Sequence, residues 1–192
     1  MLSYKESLKI LEETKALLNG HFILSSGLHS DQYVQCAKLL SFPKKAELIC
    51  SSLTQKIREN FEKIDVILSP AIGGIVVGYE IGRQLNLTTI FSERVNGVST
   101  LRRGFTIPKN SNVLIVEDVI TTGKSALECS KIVTSQKAKL IGYACIIDRS
   151  DANLLIKKEI ISQIKLNIAT YKDNELPEDM KNITPVKPGS RI

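Results

Sequence analysis

Residues 113–125, VLIVEDVITTGKS, constrain the fold more than any other stretch of this chain. Val113, Leu114, Ile115 and Val116 present no polar face, so a strand here must be covered on both sides, as strands of helix-flanked parallel sheets are. The run leads into two adjacent carboxylates, Glu117 and Asp118, then Val119, Ile120 and a turn of small residues, Thr121-Thr122-Gly123. Lys124 and Ser125 follow, and a helix is expected to begin near Ser125. The same order of apolar run, loop and helix occurs earlier, with residues 66–68, the loop 69–74 and an apolar helix over 78–85. Further strands are predicted at 89–91 and 140–147, the latter ending at Asp148-Arg149. Alternation of this kind predicts an α/β fold with a mostly parallel central sheet flanked by helices.

Around this framework, a helix is expected over residues 3–19, because Ile10 and Leu11 recur seven residues on as Leu17 and Leu18, and Asn19-Gly20 supplies a stop. Residues 22–40 read as short strand-like pieces around Ser25-Ser26-Gly27. Pro43 opens a second helix whose apolar face is Ala46, Ile49, Leu53, Ile57 and Phe61. Ile164, Leu166 and Ile168 alternate in a strand period, residues 154–161 are compatible with a helix, and the polar segment 173–192 is expected on the surface. With 192 residues, 43% of them apolar and 24% charged, a single domain over residues 1–192 is expected.

Several functional classes are disfavoured. The longest apolar runs fall far short of the roughly 18 to 20 residues of a membrane-spanning helix. In the N-terminal MLSYKESLKI, Lys5, Glu6 and Lys9 interrupt any secretory signal, so a cytoplasmic location is expected. Cys36, Cys50, Cys129 and Cys145 form no CxxC pair and have no histidine at metal-ligand spacing, which predicts reduced packing residues. The net charge of +6 is spread along the chain and suits anionic small molecules as well as nucleic acid.

The chemistry of residues 117–125 is specific. Thr121, Thr122 and Gly123 let backbone N–H groups close around a phosphate, with hydroxyls and a helix N-terminus as further donors. Glu117 and Asp118 would repel that phosphate, yet they suit the hydroxyls of a sugar, so a phosphorylated sugar satisfies both ends. A Walker loop ending in Gly123-Lys124-Ser125 requires glycine where Asp118 stands. The dinucleotide fingerprint fails likewise, with Ile75 at its middle glycine. Ser125 and Glu128 also spell a capping box, which is expected at the start of this helix.

The segment resembles the phosphoribosyl diphosphate signature of type I phosphoribosyltransferases, and VEDVITTG has the spelling of their orotate branch. The likeness extends to HFILSSGLHSDQYVQCA, SPAIGGIVVGYEIGRQL, LRRGF, the DRS of Asp148 to Ser150, and KPGSR at 187–191, and so covers nearly the whole chain. It implies the type I phosphoribosyltransferase fold, with a small hood from about residues 1–40 and the C-terminal segment, and a lid at 92–104. It further implies transfer of phosphoribosyl from 5-phosphoribosyl 1-diphosphate to orotate, with Mg2+ held mainly through substrate rather than by protein metal ligands.

By the same resemblance, Glu117, Asp118, Val119, Ile120, Thr121, Thr122, Gly123, Lys124 and Ser125 bind the ribose 5-phosphate part. Ala71, Ile72 and Gly73 meet the diphosphate, with a cis bond between Ala71 and Ile72 as a family feature. Thr121, Arg149 and Ser25 contact orotate. Arg149 also has its own rationale, since a guanidinium placed after a buried strand presents a planar donor fork to the carboxylate that distinguishes orotate from uracil. Arg94 and Arg102 are the expected lid cations, and a lid reaching a neighbouring subunit implies a homodimer, with neither nucleic acid nor membrane as partner. Asn96-Gly97 within the lid equally spells an ordinary hairpin turn. Three positions depart from the family pattern: Val98 and Leu28 stand where related enzymes carry cations, and Lys124 replaces a small residue. The competing expectations are a phosphoribosyltransferase acting on a purine or uracil, and a non-catalytic regulator with the same ligand loop.

Overall fold

The computed structural model describes residues 1–24 and 26–188. In chain order the elements are α1 (Tyr4–Glu13), β1 (Leu17–Ile23), β2 (His29–Val34), α2 (Cys36–Leu40), α3 (Pro43–Asn60), β3 (Val66–Pro70), α4 (Gly73–Leu85), β4 (Thr88–Val95) and β5 (Val98–Leu101). They continue with β6 (Asn112–Ile120), α5 (Lys124–Ser135), β7 (Lys139–Asp148), β8 (Ile160–Lys165), a 3-10 turn (Asp173–Glu175) and α6 (Glu178–Lys181). Six strands form the central sheet in the order β5-β4-β3-β6-β7-β8, parallel throughout except for β5. β1 and β2 pair separately as an antiparallel hairpin.

The continuous apolar run at 113–116 does what its lack of a polar face requires. Leu114 and Val116 face a core shared with α3 and α4, through Ile49, Leu53, Ile57, Val77 and Ile81. Val113 and Ile115 face the opposite core, against Ala126, Cys129 and Val133 of α5. Each such side chain contributes about 1.5–3 kcal/mol by leaving water. The two packed faces fix β6 at the centre of the sheet, and so fix where its carboxyl end delivers Glu117 to Ser125. All four cysteines are free and buried.

Three local expectations are overturned. The first helix stops at Glu13, because Lys15 takes a left-handed conformation (φ 55°) and Lys15 and Ala16 turn their amides back onto Glu12 and Leu11. Leu17 and Leu18 therefore belong to β1, and their seven-residue echo of Ile10 and Leu11 has no helical meaning. The capping box lies at Ser3 and Glu6 instead of Ser125 and Glu128: α5 begins at Lys124 with no side-chain cap, and Gly123 in the left-handed region (φ 70°) takes the cap position. Residues 154–159 form no helix, and β8 spans Ile160–Lys165, so of the predicted strand-period residues only Ile164 lies in it and Leu166 and Ile168 follow its end. The expected helix at 78–85 begins earlier, at Gly73.

Candidate active site

The carboxyl ends of β3, β6 and β7 converge at one edge of the sheet, where ligands of open α/β folds settle. After β6, Thr121 and Thr122 are exposed, and the first-turn amides of α5 carry no side-chain cap. Such amides, backed by the helix dipole, form an anion site. The turn is braced from behind. Leu155 N–H donates to the Thr122 carbonyl at 2.9 Å, and a Cβ added at Gly123 would meet Ile156 at 3.1 Å. Glycine at 123 thus answers both a positive φ and a close approach.

Glu117 and Asp118 occupy the end of β6. Glu117 is buried and its Oε1 has no hydrogen-bond partner among the described residues. Burial, and then the neighbouring Asp118 charge, push its carboxyl up to about 8. Burial also raises Asp118, opposed by hydrogen bonds from the Val119 amide and its own. Both are poised for a ligand that supplies donors or positive charge.

The loop after β3 lies beside this pair. Ala71–Ile72 is a cis peptide, Ile72 is exposed, and α4 starts at Gly73 without a side-chain cap. A Cβ at Gly73 would stand 2.5 Å from Asp118 Oδ2, so the absence of a side chain there lets the loop after β3 and the Asp118 carboxylate share one space. Gly78 likewise lets α4 lie on Ser69, whose Oγ would be 2.0 Å from any Cβ at 78.

Arg149 follows β7, its amide donating to the Ile120 carbonyl at 2.8 Å. Its Nε is buried without a partner among the described residues, and burial pulls the guanidinium below its ordinary pKa. Arg149, Thr121 and Thr122 line one cavity of about 1560 Å³, also lined by Tyr33 of β2, by Gln35 just after it and by residues 166–170. Leu28 is part of that lining. The resemblance placed a hood here, from about residues 1–40 and the C-terminal segment, but Tyr33, Gln35 and residues 166–170 were not singled out, because β2 and the segment after β8 carry no phosphate-binding or catalytic pattern. The expectation at Ser25 lies outside the described residues.

Residues 92–101 form a hairpin: β4 and β5 pair antiparallel, with Val95 opposite Val98 and Asn96-Gly97 as the two-residue turn, both at positive φ. Its cations are engaged locally. Arg94 bonds the Gly97 carbonyl at 2.9 Å and Glu128 of α5 at 2.6 Å. Glu93 holds Arg103 at 2.5 Å and Arg102 at 3.6 Å, and Arg103 lies over the Phe91 ring. Glu93 and Glu128 were not singled out from sequence, since their role appears only when strand and helix are juxtaposed. Val98 is exposed, and Lys124 is the exposed first residue of α5.

Uncapped amides at a helix start, an adjoining carboxylate pair and a second loop that needs glycine meet at this sheet edge. The phosphoribosyl transferase domain family matches residues 42–179. The chain belongs to this family, and within it to the orotate phosphoribosyltransferases: it is 45% identical over 184 residues to the orotate phosphoribosyltransferase of Caldicellulosiruptor saccharolyticus, covering 96% of this chain and 95% of that one. Among solved structures it is similar to the orotate phosphoribosyltransferase of Aeropyrum pernix (TM-score 0.72, 21% identity, 82% of this chain and 92% of that one). It is also similar to an adenine phosphoribosyltransferase of Thermoanaerobacter pseudethanolicus (TM-score 0.59, 16% identity, 70% and 88%). At those identities the structural likeness speaks for the fold alone, and it spans enzymes named for different bases.

Proposed function

We infer that this chain joins orotate to 5-phosphoribosyl 1-diphosphate, giving orotidine 5′-monophosphate and diphosphate, a step of pyrimidine nucleotide synthesis. The observation that carries the reading is a single cavity bounded by the phosphate loop at Thr121 and Thr122 and by Arg149, whose buried Nε lacks a partner among the described residues. The α5 amides take the 5-phosphate, Glu117 and Asp118 accept from the ribose hydroxyls, and Ala71, Ile72 and Gly73 meet the diphosphate. Arg149 and Thr121 bind orotate, the guanidinium taking the carboxylate that uracil and adenine lack.

The bond forms between a ring nitrogen of orotate and the anomeric carbon as the bond to diphosphate breaks, with positive charge developing on the sugar. Glu117 and Asp118 face that charge, which favours the ionised form of both, and catalysis consists of positioning and charge stabilisation. No protein nucleophile takes part: the cysteines are buried, and His21 and His29 bond one another in the hood. Mg2+ fits this donor set. Glu117 and Asp118 offer hard oxygens, one of them unpartnered, while no cluster of three His, Cys, Asp or Glu ligands exists among the described residues. Such a site holds the ion chiefly through substrate oxygens. When bound, the ion offsets the charge of the leaving diphosphate.

The hairpin acts as the lid, with Arg102 as the cation that Glu93 holds most loosely. A homodimer is supported by the exposed apolar stripe of Ile72, just before α4, with Val76 and Tyr79 on it, which runs from the diphosphate loop itself. No helix is long and apolar enough to cross a membrane. A cytoplasmic location is proposed because both substrates are anions that do not cross bilayers unaided. The test is loss of orotate absorbance with phosphoribosyl diphosphate, with and without magnesium, and with uracil and adenine as alternative bases. Magnesium-dependent consumption of orotate alone is expected; turnover with adenine or uracil in its place overturns the assignment of Arg149.

A further inference from the structure

The C-terminal motif that begins at Lys187 has no role in the reaction as derived so far, yet the fold takes care over where it goes. The segment leading to it is sewn to the β1–β2 hairpin at several points. The Val186 amide donates to the His21 carbonyl at 2.8 Å and the Ile23 amide donates to the Val186 carbonyl at 2.9 Å, so Val186 pairs with Phe22 as a short third strand. The buried His21 ring uses Nδ1 on the Ile183 carbonyl at 2.8 Å and Nε2 on His29 Nδ1 at 2.6 Å. His29 and Tyr171 exchange both backbone hydrogen bonds. Two backbone hydrogen bonds at Val186 and one from the buried His21 ring to the Ile183 carbonyl thus fix the position of this segment, and Tyr171 braces His29 of the same hairpin, which fraying alone would not require.

The result of this fixing is that Lys187 and Pro188 form part of the wall of the cavity that Arg149 lines. Among the described lining residues the charged ones are Arg149, Lys187 and Asp151, a balance of two cations to one acid. Neither Arg149 nor Lys187 has a carboxylate within salt-bridge distance among the described residues. A base-side cavity with two uncommitted cations selects an anionic base over a neutral one, and the second cation arrives on a flexible stem from a different part of the chain.

We propose that Lys187, delivered by the hairpin-anchored C-terminal segment, is a specificity residue that works with Arg149 on the carboxylate of the base. The proposal rests on the orotate reading given above and adds a residue to it. Arg149 supplies a planar contact whose Nε is buried; Lys187 supplies an ammonium on a flexible stem, with an effect smaller than that of Arg149 because its side chain is exposed.

The test uses the full-length protein and two nucleotides that differ only in this carboxylate, orotidine 5′-monophosphate and uridine 5′-monophosphate, titrated calorimetrically against wild type, Lys187→Ala and Lys187→Arg. Wild type is expected to prefer orotidine 5′-monophosphate. Lys187→Ala should weaken orotidine 5′-monophosphate about fivefold, as befits a partly exposed charge contact, and leave uridine 5′-monophosphate unchanged, with Lys187→Arg close to wild type. Discrimination by wild type that survives intact in Lys187→Ala overturns this proposal alone, as does equal weakening of both nucleotides, which would place the ammonium on the shared sugar phosphate. A wild type that binds the two nucleotides alike removes the orotate reading itself, and this proposal with it.

Discussion

The β6–α5 turn and the β4–β5 hairpin both face the reacting sugar in the proposed mechanism, and they are built in opposite ways. The turn hangs from a strand buried on both faces and is braced by residues 154–156, so its amides and carboxylates are held before any ligand arrives. The hairpin lies at the sheet edge, is largely exposed, and is held by ion pairs among Glu93, Arg94, Arg102, Arg103 and Glu128. Exposed pairs of this kind contribute about 0–1 kcal/mol each and can exchange partners. A rigid cradle keeps the substrate in place, and a weakly held hairpin is free to change its contacts as charge moves to the leaving group.

Perturbations should therefore divide by region. The largest effect is expected at Glu117. Its folded-state pKa of about 8 lies above the ordinary 4.5, so the folded protein holds a proton that the unfolded chain has released. Stability from this group is fully present below about pH 4.5 and is lost as pH rises toward 8, by on the order of 2–5 kcal/mol. Denaturant titrations from pH 5 to 8 should show this fall in wild type, and Glu117→Gln should flatten it while removing activity. An unchanged pH slope in the variant would mean that the cradle carries no such strain.

Next comes Gly73→Ala, whose Cβ would displace the Asp118 carboxylate. A drop in kcat/KM of about 100-fold is expected, from a displacement on the scale of an ångström, with melting temperature little altered. Arg102→Ala in the hairpin should lower kcat about tenfold and leave both stability and the KM for phosphoribosyl diphosphate near wild type, since its contact belongs to the departing charge. Smallest is Glu128→Gln, which frees Arg94 from α5: about 1 kcal/mol or less in stability. Hydrogen exchange should quicken in residues 94–101 and remain slow in 113–120. Equal exchange in both segments would erase the contrast between them.

Much of this division was legible in the sequence. An apolar run without a polar face demanded a doubly covered strand, and the residues after it had to emerge at the sheet edge. The carboxylate pair and small-residue turn then read as local chemistry, because everything they need is carried within thirteen consecutive residues. The rest depended on distant parts meeting. Lys15 ended the first helix through a left-handed backbone that no apolar period announces, and the heptad echo at Leu17 misled for that reason. Gly123 displaced Ser125 from the cap because the tight turn needed its positive φ more than the helix needed a side-chain oxygen. Tyr33, Gln35 and Lys187 become cavity residues only through the pairing of the hairpin with the C-terminal segment, a contact across more than 150 residues that no local pattern records.

The most direct measurement is a crystal structure with orotidine 5′-monophosphate bound. The account predicts the 5′-phosphate on the backbone amides of residues 121–125, the ribose hydroxyls on Glu117 and Asp118, and the base carboxylate on the Arg149 guanidinium. A phosphate seated on those amides with the carboxylate pointing away from Arg149 would keep the cradle and contradict the assignment of the base; a phosphate elsewhere would contradict both.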